Sequence, residues 1–276
     1  MTPLFSIVTV ALNAGPDLLA TALSVVAQRF GGYEYLIKDG GSIDGSLEAL
    51  AGFKQARTIS CPDTGIYDAM NQALALCRGE YVMFLNAGDV FMGEQVLETV
   101  AERCQPEDSP ALVYTDYATT FERKRIRSPH HLREGFLFRT MLCHQACYVR
   151  RDSYERYGGF DTSLKVVADF DFLLRLVLRA RAATCHVPIV GVVSKEGGYS
   201  SRPENFGVAR NEVALLRKRY FSTPKRLIYG ALYGLTFPGL RSAIVRKPSL
   251  RFLRPLYRRA VNAFNHLAYG QPEEQD

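Results

Sequence analysis

Four short strand-like runs fill the first ninety residues, a helix-like stretch separates them, and each run leads to an Asn or an Asp. Leu4-Phe-Ser-Ile-Val-Thr-Val10 is β-branched and apolar, bounded by Pro3 and by the breaker Asn13-Ala-Gly-Pro16, which reads as a buried strand. Residues 33–38, 57–60 and 80–85 read as three more strands, and residues 17–28, 46–53 and 67–77 as helices. The last helix gathers Ala69, Met70, Ala73, Leu74 and Cys77 on one face. Such alternation implies crossover units and a mainly parallel, Rossmann-like α/β sheet flanked by helices.

In parallel sheets, ligands bind beyond the carboxyl ends of the strands. Here those ends carry Asn13, Asp39, Asp63 and Asp89. Any one of these can cap a helix or fill a turn; four in register converge on one crevice. The first strand is not followed by Gly-x-Gly-x-x-Gly, and the chain has no Walker lysine loop, which argues against a dinucleotide dehydrogenase or a P-loop kinase. An acidic crevice needs a cation to hold an anionic ligand. Carboxylates with Mg2+ or Mn2+ on a diphosphate meet that need, because hard oxygen ligands select hard metals.

Four motifs carry a family resemblance: Phe5-Ser-Ile-Val-Thr-Val-Ala-Leu-Asn13, Lys38-Asp-Gly-Gly-Ser-Ile-Asp-Gly45, Pro62-Asp-Thr-Gly-Ile-Tyr-Asp-Ala-Met-Asn71 and Tyr81-Val-Met-Phe-Leu-Asn-Ala-Gly-Asp89. In this order they resemble the family 2 glycosyltransferases of the GT-A fold, in particular bacterial enzymes of exopolysaccharide synthesis such as the colanic-acid type. The resemblance covers residues 4–195. It implies a nucleotide pocket lined by Thr9, Ala11 and Asn13, with Asp39 on the base, Asp63 near base or ribose, and Gly65 letting the backbone approach. Asp89 resembles the last Asp of the Asp-x-Asp element, the ligand of a Mn2+ or Mg2+ that stabilises the leaving nucleotide. The sequence departs from the family at Asn86, where a first Asp is common, and at Gln72-Ala73, where Lys-Gly is frequent.

The second half is expected to carry the acceptor side. Residues 112–116 read as a strand, and residues 117–127, with the basic cluster Arg123-Lys-Arg-Ile-Arg127, as a solvated ribbon. A polar His144-Gln145 pair opens an apolar strand that runs to Arg150, and the turn Gly158-Gly-Phe-Asp161 precedes Asp169 and Asp171 at the start of a helix. Asp169 suits a helix N-cap. The resemblance makes it the general base, with Ala168 standing where Glu is frequent. A carboxylate is the right group, since the acceptor hydroxyl loses its proton as it attacks the anomeric carbon. A single displacement inverts that centre. His144 and Gln145 resemble the family's His-Gln element near diphosphate and acceptor; Asp171 either orients Asp169 or the acceptor, or stands by on the first helical turn.

Charge divides the chain near residue 213. Of 34 basic and 28 acidic residues, the 60 residues of 213–272 hold 12 basic and no acidic ones. Expected are a catalytic domain over 1–212, with a nucleotide-sugar half at 1–116 and an acceptor half at 117–212, and a basic amphipathic extension over 213–276. Residues 227–240 are uncharged but too short to span a bilayer. Arg246-Lys-Pro-Ser-Leu-Arg-Phe-Leu-Arg-Pro-Leu-Tyr-Arg-Arg259 interleaves cations with apolar side chains, which suits the headgroup region of an anionic membrane and would place the site beside a lipid-linked acceptor. No motif supports nucleic acid as the partner. The six cysteines fit neither a disulfide framework nor a zinc site. No basic residue precedes Arg29, so a signal peptide is not expected and a cytoplasmic enzyme, peripheral on the inner face of the membrane, is.

Two other classes compete. A nucleotidyltransferase needs a Gly-rich basic first loop for triphosphate, and Asn13-Ala-Gly-Pro16 has no cation. A non-catalytic nucleotide- or glycan-binding relative would lack the metal or base carboxylate, whereas Asp89 and Asp169 are both present.

Overall fold

The computed structural model describes residues 2–104, 109–120, 124–195, 197–199 and 202–235, with 255–257, 259, 261 and 262. Among these, nine strands form one sheet in the order β3-β2-β1-β4-β8-β6-β9-β5, with β7 paired to β6. The expected alternation builds its first half. β1 (Phe5–Ala11) pairs in parallel with β2 (Tyr33–Asp39) and β4 (Tyr81–Phe84), and β2 with β3 (Ala56–Ser60). All seven residues of β1 are buried, as a strand covered on both faces requires.

The crossovers are α1 (Pro16–Val26) and α2 (Ile66–Leu74). Pro16 opens α1, where its missing N–H costs nothing, and α2 buries Tyr67, Ala69, Met70 and Ala73. The helix expected over 46–53 is reduced to one 3-10 turn, Glu48–Leu50. The Asp44 carboxylate explains this, because it accepts from Ser46 N–H and Oγ and from Gly15 N–H and so fixes the preceding loop. Gly79 lets the chain enter β4 tightly, since a Cβ there would lie 2.4 Å from the Ser6 nitrogen.

The second half is more mixed. β5 (Val90–Phe91) and α3 (Val96–Ala101) lead to β6 (Leu112–Thr119), which runs past the expected end at 116 and turns back through β7 (Arg125–Ile126). The ribbon is not simply solvated: Arg125 Nε donates to Asp116 over 2.6 Å, and Asp116 also accepts from Ser128 N–H and His186. β8 (Cys147–Arg150) is antiparallel to β4 and β6, and β9 (Thr184–Ser194) is parallel to β6 and antiparallel to β5. One core runs along this sheet and includes Phe5, Ile7, Met83, Val113 and Tyr148.

The chain divides into two compact units, residues 1–128 with 142–212, and residues 129–141 with 213 onward. α5 (Arg151–Tyr157) and α6 (Ala168–Leu174) belong to the first, and α6 continues as a π-helical turn, Arg175–Arg179. The division falls within α7 (Pro203–Tyr220). In the second unit, α4 (Glu134–Arg139) packs with α8 (Thr223–Leu235). Phe138 meets Phe221 and Tyr229 with ring centroids 5.2 and 5.4 Å away, Arg217 stacks 4.7 Å above Phe138, and Lys225 pairs with Glu134. Leu227 and Ile228 of α8 are exposed. The segment 236–254, with most of the basic run, lies outside the described residues. No helix among the described residues is long and apolar enough to cross a membrane.

Candidate active site

The carboxyl ends of β1, β2 and β3 meet in a hydrogen-bonded loop cluster. Asp39, the last residue of β2, is buried and accepts from Gly41 N–H, Ser42 N–H, Ser42 Oγ and Ser60 Oγ. Burial alone would raise its pKa, but the donors from Ser42, Ser60 and Gly41 hold it below the usual carboxylate value. Asn13 takes a left-handed backbone, with φ 50°, and its Oδ1 accepts from Ile43 N–H while its own N–H donates to Ser42 Oγ. Ala11 ends β1 opposite Asp39 and is buried. The Thr9 hydroxyl is fully buried against Tyr35 Oη and the Leu85 carbonyl, so its side chain braces the sheet.

Asp63 is held from two sides. Its Oδ1 accepts from Gly65 N–H, and its Oδ2 lies 3.1 Å from Lys38 Nζ. Lys38 is 1% exposed and also donates to the carbonyls of Asp39 and Cys61. The motif contains Lys38, but nothing local in the sequence reveals that its ammonium turns inward. Gly65 has φ 142° and precedes α2, consistent with a close backbone approach there. Leu12 lies exposed alongside, its Cδ1 3.4 Å from where a Cβ on Gly40 would sit.

The second cluster begins where β4 ends. Asp89 is 3% exposed; its Oδ1 accepts from Lys195 N–H at 2.7 Å and its Oδ2 from Gln145 Nε2 at 2.9 Å. Burial raises its pKa above the ordinary carboxylate value despite these donors. Gly88, with φ 98°, leaves room for Lys195, whose Cδ would lie 2.8 Å from a Cβ there, and Lys195 Nζ reaches Asp17 on α1. Asn86 Nδ2 lies 3.1 Å from His144 Nε2, and His144 Nδ1 lies 3.0 Å from Asp169 Oδ2. Burial of His144 would favour its neutral form, yet the bond and charge of Asp169 raise its proton affinity.

Asp169 is not an N-cap. Val167 holds that position and α6 has no side-chain cap. The carboxylate instead collects three donors: Tyr67 Oη and Phe170 N–H on Oδ1, and His144 on Oδ2. Glu212 of α7 fixes the approach to this helix by accepting from the N–H groups of Lys165, Val166 and Val167. Both Tyr67 and Glu212 escape the sequence reading, because each acts across a long stretch of chain. Asp171 is buried and bonds Arg175 at 2.9 Å, and Arg175 donates to the carbonyls of Tyr157, Gly158 and Gly159. Asp171 thereby braces the glycine turn through Arg175.

The β4 end suits a hard cation of the Mg2+ or Mn2+ type. Asn86 Oδ1 is buried without a hydrogen-bond partner, an available neutral oxygen. Asp89 adds a carboxylate that, beside its donors Lys195 N–H, Gln145 Nε2 and the Ser194 hydroxyl, keeps one lone pair for a cation. The described residues hold no group of three or more His, Cys, Asp or Glu placed as a cage, so the remaining ligands would come from substrate phosphate and water, as is usual for such ions.

A family model described as glycosyl transferase family 2 matches residues 6–158. A Mycobacterium bovis protein named PGL/p-HBAD biosynthesis glycosyltransferase is 32% identical over 205 residues, covering 72% of this chain and 80% of its own. Two solved structures share the fold. TarS of S. aureus, residues 1–349 in complex with UDP-GlcNAc, superposes with a TM-score of 0.66 at 16% identity, over 96% of this chain and 81% of that one. The mannosyltransferase PcManGT of Pyrobaculum calidifontis, in complex with GDP-Man and Mn2+, superposes at 0.58 and 15% identity, over 98% and 88%.

Proposed function

The chain belongs to glycosyl transferase family 2, and we propose that it inverts the anomeric centre of a UDP-sugar while transferring the sugar to a hydroxyl of a glycan or lipid-linked acceptor in bacterial cell-surface polysaccharide synthesis. It is a nucleotide-sugar glycosyltransferase with the GT-A architecture. One observation carries the mechanistic reading: a nearly buried carboxylate, Asp169, held by three donors at the start of a helix. A carboxylate so held keeps one orientation and is available to take a proton.

In this reading the acceptor oxygen attacks the anomeric carbon while Asp169 removes its proton. The bond from that carbon to the phosphate oxygen breaks, and the nucleoside diphosphate leaves with the electron pair. Asp39, Asp63, Asn13, Ala11 and Gly65 form the nucleoside side. His144 bridges Asp169 to Asn86 and so couples the base to the diphosphate side. Asn86 and Asp89 would hold a divalent cation, which when bound supplies Lewis-acid stabilisation of the diphosphate. The basic extension brings the enzyme to an anionic membrane surface.

A thermal-shift screen of UDP-, GDP- and dTDP-sugars, with and without Mn2+, tests the donor. Stabilisation by UDP-sugars that grows with Mn2+ is expected; a preference for another nucleotide overturns the UDP assignment. Asp169→Asn should bind the donor as the wild type does and lose about a hundredfold or more in transfer rate; full turnover in that variant removes Asp169 as the base. Salt-sensitive sedimentation with anionic vesicles, lost when Arg246, Lys247, Arg251 and Arg254 become Ser, tests the membrane assignment. Equal binding by both proteins overturns it.

A further inference from the structure

The hydroxyl of Tyr67 sits between two acceptors. It lies 2.6 Å from the carbonyl of Val166 and 3.0 Å from Oδ1 of Asp169. Its ring is fixed, buried on α2 and packed on Phe160 at 5.8 Å. A phenol has one proton, so only one of these contacts is a donation from Tyr67 at any moment. We propose that Tyr67 is a positioning residue for Asp169, its single O–H turned to the carboxylate while that carboxylate is ionised. The inference rests on Asp169 being that base.

While Asp169 is ionised, the Tyr67 proton points at Oδ1 and holds the carboxylate in place. During transfer the acceptor's proton passes to Asp169, its oxygen bonds the anomeric carbon, and the nucleoside diphosphate departs with the electron pair. The lone pair open to that proton is on Oδ2, which accepts from His144, because Tyr67 and Phe170 N–H occupy Oδ1. Once the carboxylate has lost its charge, the Tyr67 proton can turn to the Val166 carbonyl 2.6 Å away. Burial and the Asp169 charge push the Tyr67 phenol far above its ordinary value, so it remains a proton donor throughout. The pair joins α2 to the first turn of α6, 102 residues apart, and a hydroxyl lost there is lost to the base directly.

The test compares wild type, Tyr67→Phe and Asp169→Asn, all as full chains. UDP release from UDP-GlcNAc, with water as acceptor, gives the kinetic readout. Tyr67→Phe keeps the ring packing and should lower kcat by about tenfold to a hundredfold with the donor KM within about twofold of wild type. Unchanged kcat in Tyr67→Phe, with Asp169→Asn inactive, overturns the Tyr67 role alone. An active Asp169→Asn overturns the base reading instead. Fluorotyrosine placed at position 67 retains both contacts, should keep kcat within about twofold of wild type, and serves also if Tyr67→Phe does not fold. A kcat in the fluorotyrosine protein as low as that of Tyr67→Phe overturns the proposal.

Discussion

The imidazole of His144 spans Asn86 and Asp169, with Nε2 3.1 Å from the Asn86 amide and Nδ1 3.0 Å from the Asp169 carboxylate. His144→Ala removes a donor from the carboxylate and leaves the amide facing a void. The transfer rate should fall by about tenfold to a hundredfold, while nucleotide binding is retained. Steady-state kinetics beside a UDP titration checks this.

Lys38 places an ammonium in the sheet with three oxygen partners. Lys38→Met leaves Asp63 and two carbonyls without it, so the loss should reach about 3–5 kcal/mol. Urea denaturation of the two proteins measures it.

Glu212 satisfies three consecutive N–H groups ahead of α6. Glu212→Ala should destabilise by about 1–3 kcal/mol and lower the transfer rate as well, because Asp169 begins the helix that Glu212 anchors. Glu212→Gln, which keeps one acceptor oxygen, should recover part of both in paired melting and rate measurements.

Chelation should remove transfer, and Mn2+ should restore it. Asn86→Asp adds a second carboxylate at the end of β4 and should lower the Mn2+ concentration for half-maximal activity. A metal titration of EDTA-treated wild type and variant makes the comparison.

The Asp39 carboxyl is held below its ordinary value of 3.8 by the donors around it. A depressed folded value means that its stabilisation is present above the unfolded value and is lost as pH falls through the folded one. Ser42→Ala removes the shortest of those donors. It should cost about 1 kcal/mol at neutral pH and move the acid-unfolding midpoint to higher pH, as followed by circular dichroism.

The strand ends were legible because each strand is short and closed by a polar breaker, so Asn13, Asp39 and Asp89 could be placed at or just beyond the carboxyl ends of β1, β2 and β4 from the sequence. The bracing contacts of Thr9 were not legible, for a physical reason. In a strand buried on both faces the alternation disappears, and the sequence no longer tells which way a side chain points. Asp171 and Arg175 stand at helical spacing, and that pairing was open to sequence reasoning. Lys38, Tyr67 and Glu212 were not legible in the same way. Their roles arise from partners far along the chain, which only the folded topology brings within reach.

The bond from Lys195 N–H to Asp89 joins positions 106 residues apart. On the ribosome, strands β1 to β4 can pair as soon as they emerge. Asp89 must wait for more than a hundred further residues to meet this donor, and the N–H groups ahead of α6 wait for Glu212 in turn. Newly made chains therefore pass through a period with β1 to β4 present and Asp89 short of one partner. A chain truncated before residue 195 would keep it so, which ties the final setting of this carboxylate to a late part of synthesis.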